Sequence, residues 1–410
     1  MDYRVIILLV LEALFALWLL RCAGLMKKPA YAVAAVILTV LTFLTRFLVF
    51  DYETLDYQNF LSPWVQYFRA NGGFAALREQ VGNYNIPYLY FLSLFSYSDI
   101  SELYLIKLLS IFFDVILAWA AMLLLGRFTQ SAAKRMALFF SVLFLPTVFL
   151  NGALWAQCDS SYVALSLLGI YLALDDRPIL SMVCAAAAFG FKLQAVFILP
   201  VYAVLWMQGK FRLRHFLVFP LAYVVLVLPA VIAGRPFVET LTLYFGQTGS
   251  IGDGLNYNSP SVYSLFQYTL PEKYNALASA LGIIAAFVYM LSLLVICFVK
   301  RRALGDRAVL AAALLFAIGI PFLLPHMHER YFFAADILSL ITAFAAVEYF
   351  PIAALVQFAS LLGYHAYLKM RYLLLMSRGA VALIGALILA AMFLYFSFEK
   401  NISQKRENST

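Results

Sequence analysis

The chain has 410 residues, of which 65% are hydrophobic and only 12% are charged, and its mean hydropathy is +0.89. So few charged residues cannot cover the surface of a soluble globule of this size, and the composition therefore predicts a polytopic membrane protein. The formal net charge of +8 is accounted for by membrane-flanking loops and by attraction to anionic lipid headgroups, so we expect membrane lipids and no nucleic acid as partners.

Apolar stretches long enough to cross a hydrocarbon core of roughly 30 Å recur along the chain. We predict spans near residues 5–24, 30–50, 106–126, 136–152, 160–175, 216–233, 277–299, 308–325, 332–348, 351–368 and 379–397. The stretch 179–207 is broken by Gly190, Lys192 and Gln194 and is predicted to form two short segments that meet at a polar point. Arg46 and Asp114 fall within spans and are interpreted as structural, with an ion pair between their helices as one arrangement. The prediction is an all-α polytopic protein of about 11–14 transmembrane helices in one domain, 1–410.

Basic residues fall on alternate loops, which predicts a cytoplasmic face. The residues on that face are Lys27, Lys28, Arg127, Lys134, Arg135, Arg177, Lys210, Arg212, Arg214, Lys300, Arg301, Arg302, Arg307 and those of the tail 400–406. The extracytoplasmic face then holds the loops 51–105 and 235–276, the turn 155–159 and the segment 326–331. Lys369, Arg371 and Arg378 fall on this outer face against the rule. Either the last two spans are misplaced or these charges bind an anionic lipid. We expect the protein in a bacterial plasma membrane.

The long outer loop 51–105 begins with three acids, Asp51, Glu53 and Asp56, beside apolar bulk. In such surroundings the pKa of a general base can be tuned. We predict an interfacial helix over 60–70, with Pro63 in its first turn, and an extended segment around Pro87. The alternative interpretation is an aromatic belt with capping carboxylates.

Two further polar clusters fall at ends of spans on the outer side. Asp159 either caps a helix that begins at Ser160 or joins a polar site with Gln157. Lys192 lies between short apolar segments, where a cation is costly unless it faces water, a partner charge or a ligand. Snorkelling of Lys192 to the surface is the competing explanation.

The segment 326–330 places His326, His328, Glu329 and Arg330 at the outer end of one span. Imidazoles and a guanidinium are the donors that an anionic phosphate oxygen needs. A metal site is the alternative, but two His and one Glu on so short a stretch rarely complete a coordination sphere. We therefore expect no metal ligand set and no cofactor, and independence of divalent cations.

The order of these motifs resembles the GT-C integral-membrane glycosyltransferases, most of all the bacterial relatives of the GPI mannosyltransferases and the dolichyl-phosphate-glucose-dependent glucosyltransferases. Leu55-Asp56-Tyr57 with Trp64 is similar to the family's Gly-Asp-Phe before a Trp, and Ile86-Pro87-Tyr88 is similar to its Tyr-Pro-Pro. Phe191-Lys192, with Gln194 displaced by one, is similar to its Phe-Lys-Gln. The segment from His326 to Arg330 is similar to its His-x-His-Glu-Lys. The resemblance covers roughly residues 30–350 and rests on the order and common side of the motifs. Asn85 replaces a second loop acid of the family, and Arg330 replaces its Lys.

The resemblance implies a GT-C-like fold and inverting transfer of a monosaccharide, mannose or glucose first among hexoses, from a polyprenyl-phosphate donor. The acceptor would be a hydroxyl of a lipid-linked or cell-envelope glycan or glycolipid on the outer face. Asp56 would be the general base, with Asp51 as its rival. The expected donor-binding residues are Lys192, His326, His328, Arg330, Gln157 and Asp159, and the expected acceptor-binding residues are Trp64, Asn85 and Tyr88. Loop 235–276 is expected to cover donor or acceptor.

Two other functions remain open from the sequence. A transporter or flippase for a lipid-linked saccharide would also use outward basic residues and aromatic platforms, but it should show inverted repeats with broken helices in corresponding halves. The interruptions at 190–194 and 325–331 are not paired by an obvious repeat. A lipid phosphatase is less favoured because a hydrolytic Ser/His/Asp or paired-His arrangement is missing.

Overall fold

The computed structural model describes residues 2–246, 254–266 and 270–407, and these residues are mostly helical. The α-helices are α1 (Tyr3–Cys22), α2 (Pro29–Phe47), α3 (Ser62–Ala70), α4 (Ile86–Phe95), α5 (Glu102–Leu125), α6 (Ala132–Leu143), α7 (Pro146–Phe149), α8 (Asp159–Leu174), α9 (Pro178–Phe191), α10 (Val201–Met207), α11 (Val218–Ile232), α12 (Phe237–Leu241), α13 (Leu243–Gly246), α14 (Asn275–Val299), α15 (Asp306–Leu323), α16 (Phe333–Ala345), α17 (Phe350–Leu368) and α18 (Met376–Glu407).

Short helical turns and one small sheet complete the described structure. The turns are Tyr57–Leu61 and Leu150–Leu154, which are π-helical, and Gly73–Arg78, Leu193–Phe197, Leu213–Leu217, Val262–Leu265, Glu272–Tyr274, Arg301–Ala303 and Val347–Tyr349, which are 3₁₀-helical. Strands β1 (Asn256–Tyr257) and β2 (Met327–His328) pair in parallel. They join the loop after α13 to the connection between α15 and α16.

Eight helices within the described ranges are long and apolar enough to cross a membrane. They are Tyr3–Cys22, Pro29–Phe47, Glu102–Leu125, Leu213–Ile232, Glu272–Val299, Asp306–Leu323, Val347–Leu368 and Met376–Asn401. A ninth span is formed if Ala132–Leu143 and Pro146–Leu154, bent by 44° at their junction, are counted together. Pro146 explains the break, because a proline cannot continue the hydrogen bonding of the preceding helix. The predicted all-α polytopic fold class is confirmed. The larger span count from sequence included apolar helices that the structure shows to be only 10–17 residues long.

Two spans form the centre of the bundle. In α15, 83% of the membrane-spanning window is buried inside the protein, and in α5 the share is 72%, whereas the windows of the 213–232 and 272–299 spans are only 17% buried. The centre is therefore lined by α5 and α15, with the other two spans facing lipid. Ala308, Ala311, Ala312, Ala313 and Ala317 are buried along α15. Such small side chains let neighbouring helices approach closely in a membrane.

The predicted break within residues 179–207 is confirmed. Helix α9 ends at Phe191, a 3₁₀ turn begins at Leu193, and Lys192 between them is extended, with φ −154° and ψ 133°. Irregular backbone at membrane depth is tolerated where it lines a cavity or is buried in protein. The break therefore gives Lys192 a position facing the interior of the protein.

The loop 51–105 partly follows the prediction. The expected interfacial helix is found as α3, with Pro63 in its first turn. The expected extended segment around Pro87 is wrong beyond Asn85, because α4 begins at Ile86. A proline in the first helical turn loses no intrahelical hydrogen bond, and the Asn85 side chain accepts a 2.8 Å hydrogen bond from the Ile86 backbone N–H.

A buried ion pair and its hydrogen bonds link four helices, α2, α5, α6 and α8, below this loop. Arg46 Nη2 lies 3.1 Å from Asp114 Oδ2, and both side chains are fully buried. Ser160 Oγ donates to Asp114 Oδ1 at 2.5 Å, and Arg46 also donates to the Leu143 carbonyl at 2.9 Å. The predicted Arg46–Asp114 pair is confirmed. It links α2 and α5 to the first turn of α8.

The loops sort into two faces of the bundle. On one face, Arg127 pairs with Asp306 at 3.1 Å and Lys210 pairs with Asp176 at 2.8 Å. The other face carries the loop 51–105 together with the connection between α17 and α18, which contains Lys369 and Arg371, and Arg378 follows in the first turn of α18. Because α17 and α18 are found where spans were predicted, misplaced spans do not explain this basic connection.

Candidate active site

A cavity of about 410 Å³ opens on the face that carries loop 51–105. It lies where the loop, the break after α9, the turn before α8 and the β1–β2 pair meet. Its volume is within the range of small-molecule sites in proteins. The aromatic members of its lining are Phe60, Trp64, Tyr84, Phe191, Tyr244, Tyr257, Tyr331 and Tyr367. Aromatic rings offer flat apolar faces, with polar handles on Tyr and Trp, and such surfaces suit the faces of a sugar ring.

Asp56 lies in the wall of this cavity and is held by three donors. Trp155 Nε1 and Gln157 Nε2 each donate to Asp56 Oδ2 at 3.0 Å, and the Tyr367 hydroxyl donates to Oδ1 at 2.6 Å. The Asp56 side chain is 19% exposed. A carboxylate offers about four lone-pair positions, so one remains for a group in the cavity. The three donors fix the carboxylate in one orientation.

Lys192 is buried against an acid at the start of α8. Its Nζ lies 2.6 Å from Asp159 Oδ1 and 5.7 Å from the centre of the Tyr84 ring. Asp159 is fully buried and accepts a second hydrogen bond from Asn151 Nδ2, at 2.8 Å. The structure thus explains the intramembrane cation by a partner charge, and snorkelling to the surface is not needed. Lys192 also lines the cavity, which leaves it able to contact a ligand.

Arg330 connects the acids of the site. Its Nη1 atom lies 2.8 Å from Glu329 Oε1 and 3.8 Å from Asp56 Oδ2, and its Nε atom lies 3.7 Å from Asp159 Oδ2. The guanidinium stands 5.1 Å from the centre of the Trp155 ring. This planar cation therefore reaches Asp56 and the Lys192–Asp159 pair from the same side.

The two histidines have different surroundings. The His328 ring lines the cavity and stacks on Tyr257 with 4.9 Å between centroids. Burial, together with the positive charge of Arg330, lowers the pKa of His328 to about 4, so its ring is neutral near pH 7. His326 has a left-handed backbone, with φ 61°, and its Nδ1 lies 2.7 Å from the Gly254 carbonyl. His326 thus joins two loops and does not line the cavity.

The structure brings most of the predicted site residues together. The predicted residues that line the cavity are Asp56, Trp64, Asn85, Gln157, Lys192, His328 and Arg330. Four others lie outside the lining: Asp159 behind Lys192, His326 at the β1 loop, Tyr88 beneath Tyr84 at 4.7 Å between ring centroids, and Asp51. Asp51 accepts a 2.6 Å hydrogen bond from the Tyr104 hydroxyl instead. Its place outside the lining makes Asp51 the weaker candidate for a base.

Sequence reasoning missed Tyr367 and Trp155 and gave Glu329 no role in the site. Tyr367 was missed because it lies inside a regular apolar helix, although it comes two residues before the anomalous Lys369. Trp155, in the predicted outer turn 155–159, is fully buried and stacks on Tyr367 with 4.2 Å between ring centroids. Glu329 is buried in the cavity wall, and this burial raises the pKa of its carboxyl group.

The acids of the first loop do not gather around one point. Asp51 contacts Tyr104, Glu53 accepts a 2.9 Å hydrogen bond from Gln58, and Asp56 faces Trp155. In the part of the chain that the structure describes, no group of three or more His, Cys, Asp or Glu side chains is placed to hold a metal ion. Independence of divalent cations stays a prediction.

The fold defines an integral-membrane protein with a cavity lined by aromatic, acidic and basic side chains. Residues 92–208 match the family model described as alpha-(1->6)-mannopyranosyltransferase, N-terminal domain. The matched region runs from α4 to the residue after α10 and includes Gln157, Asp159 and Lys192, whereas Asp56 and Arg330 lie outside it. No curated protein matches the chain. The chain is an integral-membrane protein similar to GT-C mannosyltransferases, which confirms the resemblance predicted from its motifs.

Proposed function

We propose that the protein is an inverting mannosyltransferase that uses a polyprenyl-phosphate mannose. The acceptor is a hydroxyl of a lipid-linked or cell-envelope glycan, and the reaction takes place on the extracytoplasmic face of a plasma membrane. The observation that carries the proposal is one cavity lined by an oriented carboxylate, Asp56, and by two cations, Lys192 and Arg330. Mannose is favoured over glucose because the matched family model describes a mannopyranosyltransferase domain.

The reaction needs a base for the acceptor hydroxyl and a group that binds the leaving phosphate. The acceptor hydroxyl oxygen attacks the anomeric carbon and gives its proton to Asp56 as the new C–O bond forms. The bond from the anomeric carbon to the phosphate oxygen breaks, and its electron pair leaves with the polyprenyl phosphate. Attack from the side opposite the leaving group inverts the anomeric configuration.

The cations are held in place before the donor binds. Lys192 is fixed by Asp159 and Arg330 by Glu329, so neither has to reorganise when negative charge grows on the leaving phosphate. Removal of one such preorganised donor typically costs about 2.7–4 kcal/mol of transition-state stabilisation. A lipid monophosphate is therefore a sufficient leaving group without a bridging metal ion.

The acceptor is proposed to bind on the side of the first loop. Trp64 and Asn85 line this side, and Asn85 is held by a 3.0 Å hydrogen bond from its Nδ2 to the Tyr223 hydroxyl. Tyr244 and Tyr257 line the cavity from the stretch 235–276, which supports the expected role of this stretch as a cover over a bound substrate.

The test uses purified protein in nanodiscs with polyprenyl-phosphate mannose, polyprenyl-phosphate glucose or GDP-mannose, and with a mannosyl glycolipid as acceptor. Mass spectrometry should show one added hexose with the first donor, and NMR should show inversion at the anomeric carbon. Activity should survive EDTA. Transfer from GDP-mannose alone would overturn the donor class. Movement of a lipid-linked saccharide between leaflets without a new glycosidic bond would favour a flippase.

A further inference from the structure

The connection between α17 and α18 is an exposed basic and apolar loop on the cavity face. Its residues 369–375 read Lys-Met-Arg-Tyr-Leu-Leu-Leu, and all seven are exposed. Met370 is 73% exposed and Leu373 is 63% exposed. Because the loop joins two membrane-spanning helices, these apolar side chains stand at the membrane surface, where insertion into the headgroup boundary removes them from water.

The cations of this loop have no acidic partner in the described ranges. Lys369, Arg371 and, in the first turn of α18, Arg378 are exposed, and none forms an ion pair with a described acidic side chain. Residues 365–379 contain no Asp or Glu. Most other basic loops lie on the opposite face, so three cations here run against the usual distribution of charge around membrane spans.

The first half of the loop is fastened to the cavity side of the protein. Tyr367, two residues before Lys369, donates to Asp56 at 2.6 Å. Tyr372 donates to Asn258 Oδ1 at 2.7 Å, and Asn258 forms a β-bridge with His328. The backbone between these points is anchored by a 3.1 Å contact from His365 Nδ1 to the Arg371 carbonyl. The backbone is therefore tied down while the basic and apolar side chains point away from the protein.

We propose that residues 369–378 form a binding site for anionic glycerophospholipid at the rim of the cavity. The three cations bind the headgroup phosphate, and Met370, Leu373 and Leu375 insert beside its acyl chains. Charge complementarity and the unbroken exposed apolar run select a bilayer lipid over a soluble phosphate compound, because a soluble anion would leave the apolar run in water. The site is separate from the donor pocket and does not depend on the proposed reaction.

Hydrogen exchange of peptide 366–376 tests the site directly. The protein is placed in phosphatidylcholine nanodiscs with a rising fraction of phosphatidylglycerol and no sugar donor. Exchange of this peptide should slow at low phosphatidylglycerol fractions. The variant K369Q/R371Q/R378Q should need more than about tenfold more phosphatidylglycerol to reach the same slowing of exchange. Each surface cation contributes about fivefold in affinity for an anionic membrane.

A matched variant and two ligands complete the test. K134Q/R212Q/R214Q removes the same charge from the opposite face and should leave the titration of peptide 366–376 unchanged. Inorganic phosphate should give no protection.

Protection by polyprenyl phosphate in pure phosphatidylcholine, with none from phosphatidylglycerol, would overturn the proposal in favour of a donor site. Equal titrations of wild type and the first variant would also overturn it. Unchanged exchange elsewhere confirms folding, and R371Q alone replaces the triple variant if that fails to fold.

Discussion

Tyr367 donates a 2.6 Å hydrogen bond to Asp56, although 311 positions separate the two residues. The bond fastens the outer end of α17 to the first loop. It also places the Tyr367 ring against Trp155, whose own N–H donates to the same carboxyl group at 3.0 Å. Two stacked rings therefore present two donors to one carboxylate.

Tyr367→Phe should lower kcat roughly 10- to 150-fold while the ring stack persists, because a hydrogen bond to a charged carboxylate contributes about 1.5–3 kcal/mol. Donor and acceptor KM values should change little. Steady-state kinetics in nanodiscs measures this. Tyr289→Phe is the control, since it removes a buried hydroxyl that donates to the Leu315 carbonyl far from the cavity. A change in KM with kcat intact would place Tyr367 in substrate binding instead.

Asp56→Asn removes the carboxylate that accepts the proton and keeps the shape of the side chain. We expect a loss of roughly 10²- to 10⁴-fold in kcat, with donor binding retained. Asp51→Asn is the matched control, because Asp51 belongs to the same segment but lies outside the cavity lining. The kcat of this variant should stay within about twofold of the wild-type kcat. If Asp51→Asn is inactive and Asp56→Asn is active, the base is Asp51.

Arg330→Ala should weaken donor binding and leave acceptor binding nearly unchanged. A charge-assisted contact to phosphate contributes about 1.5–3 kcal/mol, or roughly 10- to 150-fold in Kd. Arg330 also pairs with buried Glu329, so the double variant Arg330→Ala/Glu329→Gln separates loss of the phosphate contact from an unpaired acid. Donor affinity equal to wild type in both variants would remove Arg330 from the phosphate site.

The sequence was sufficient to predict the membrane-spanning class, the break at Lys192 and the common side of the polar motifs, because these depend on local hydrophobicity and charge. The partners of each charge depend on tertiary packing. No local pattern joins Asp56 to Tyr367 or Lys192 to Asp159, since each pair lies on different elements. The error at Pro87 has a local cause, because a proline is equally compatible with an extended segment and with a first helical turn.

His328 should make the protein less stable under mildly acidic conditions. Its folded pKa of about 4 lies below the ordinary value of 6.5. Between these values the unfolded chain takes up a proton that the folded protein does not, so the free energy of unfolding falls as the pH drops from 6.5 to 4. His328→Gln should flatten this part of the pH dependence of the apparent Tm. An unchanged slope in His328→Gln would contradict a neutral His328.

Lys107 of α5 is expected to position the segment that leads to Asp56. Its fully buried Nζ donates to the backbone carbonyls of Val49, Phe50 and Tyr52 at 2.9, 2.8 and 2.7 Å. These carbonyls follow the end of α2, and the Val49 carbonyl also accepts a 3.1 Å hydrogen bond from the Tyr52 backbone N–H.

Lys107→Met removes all three contacts and leaves the carbonyl of buried Phe50 without this partner, at a cost of about 1–3 kcal/mol. We expect a lower apparent Tm, faster hydrogen exchange over residues 49–56, and a fall in kcat with donor Kd nearly unchanged. Lys107→Arg keeps the charge and several donors and should restore part of kcat and of the exchange protection. Loss of donor affinity in parallel with kcat would show a general loss of structure, and a normal kcat with a lowered Tm would limit Lys107 to stability alone.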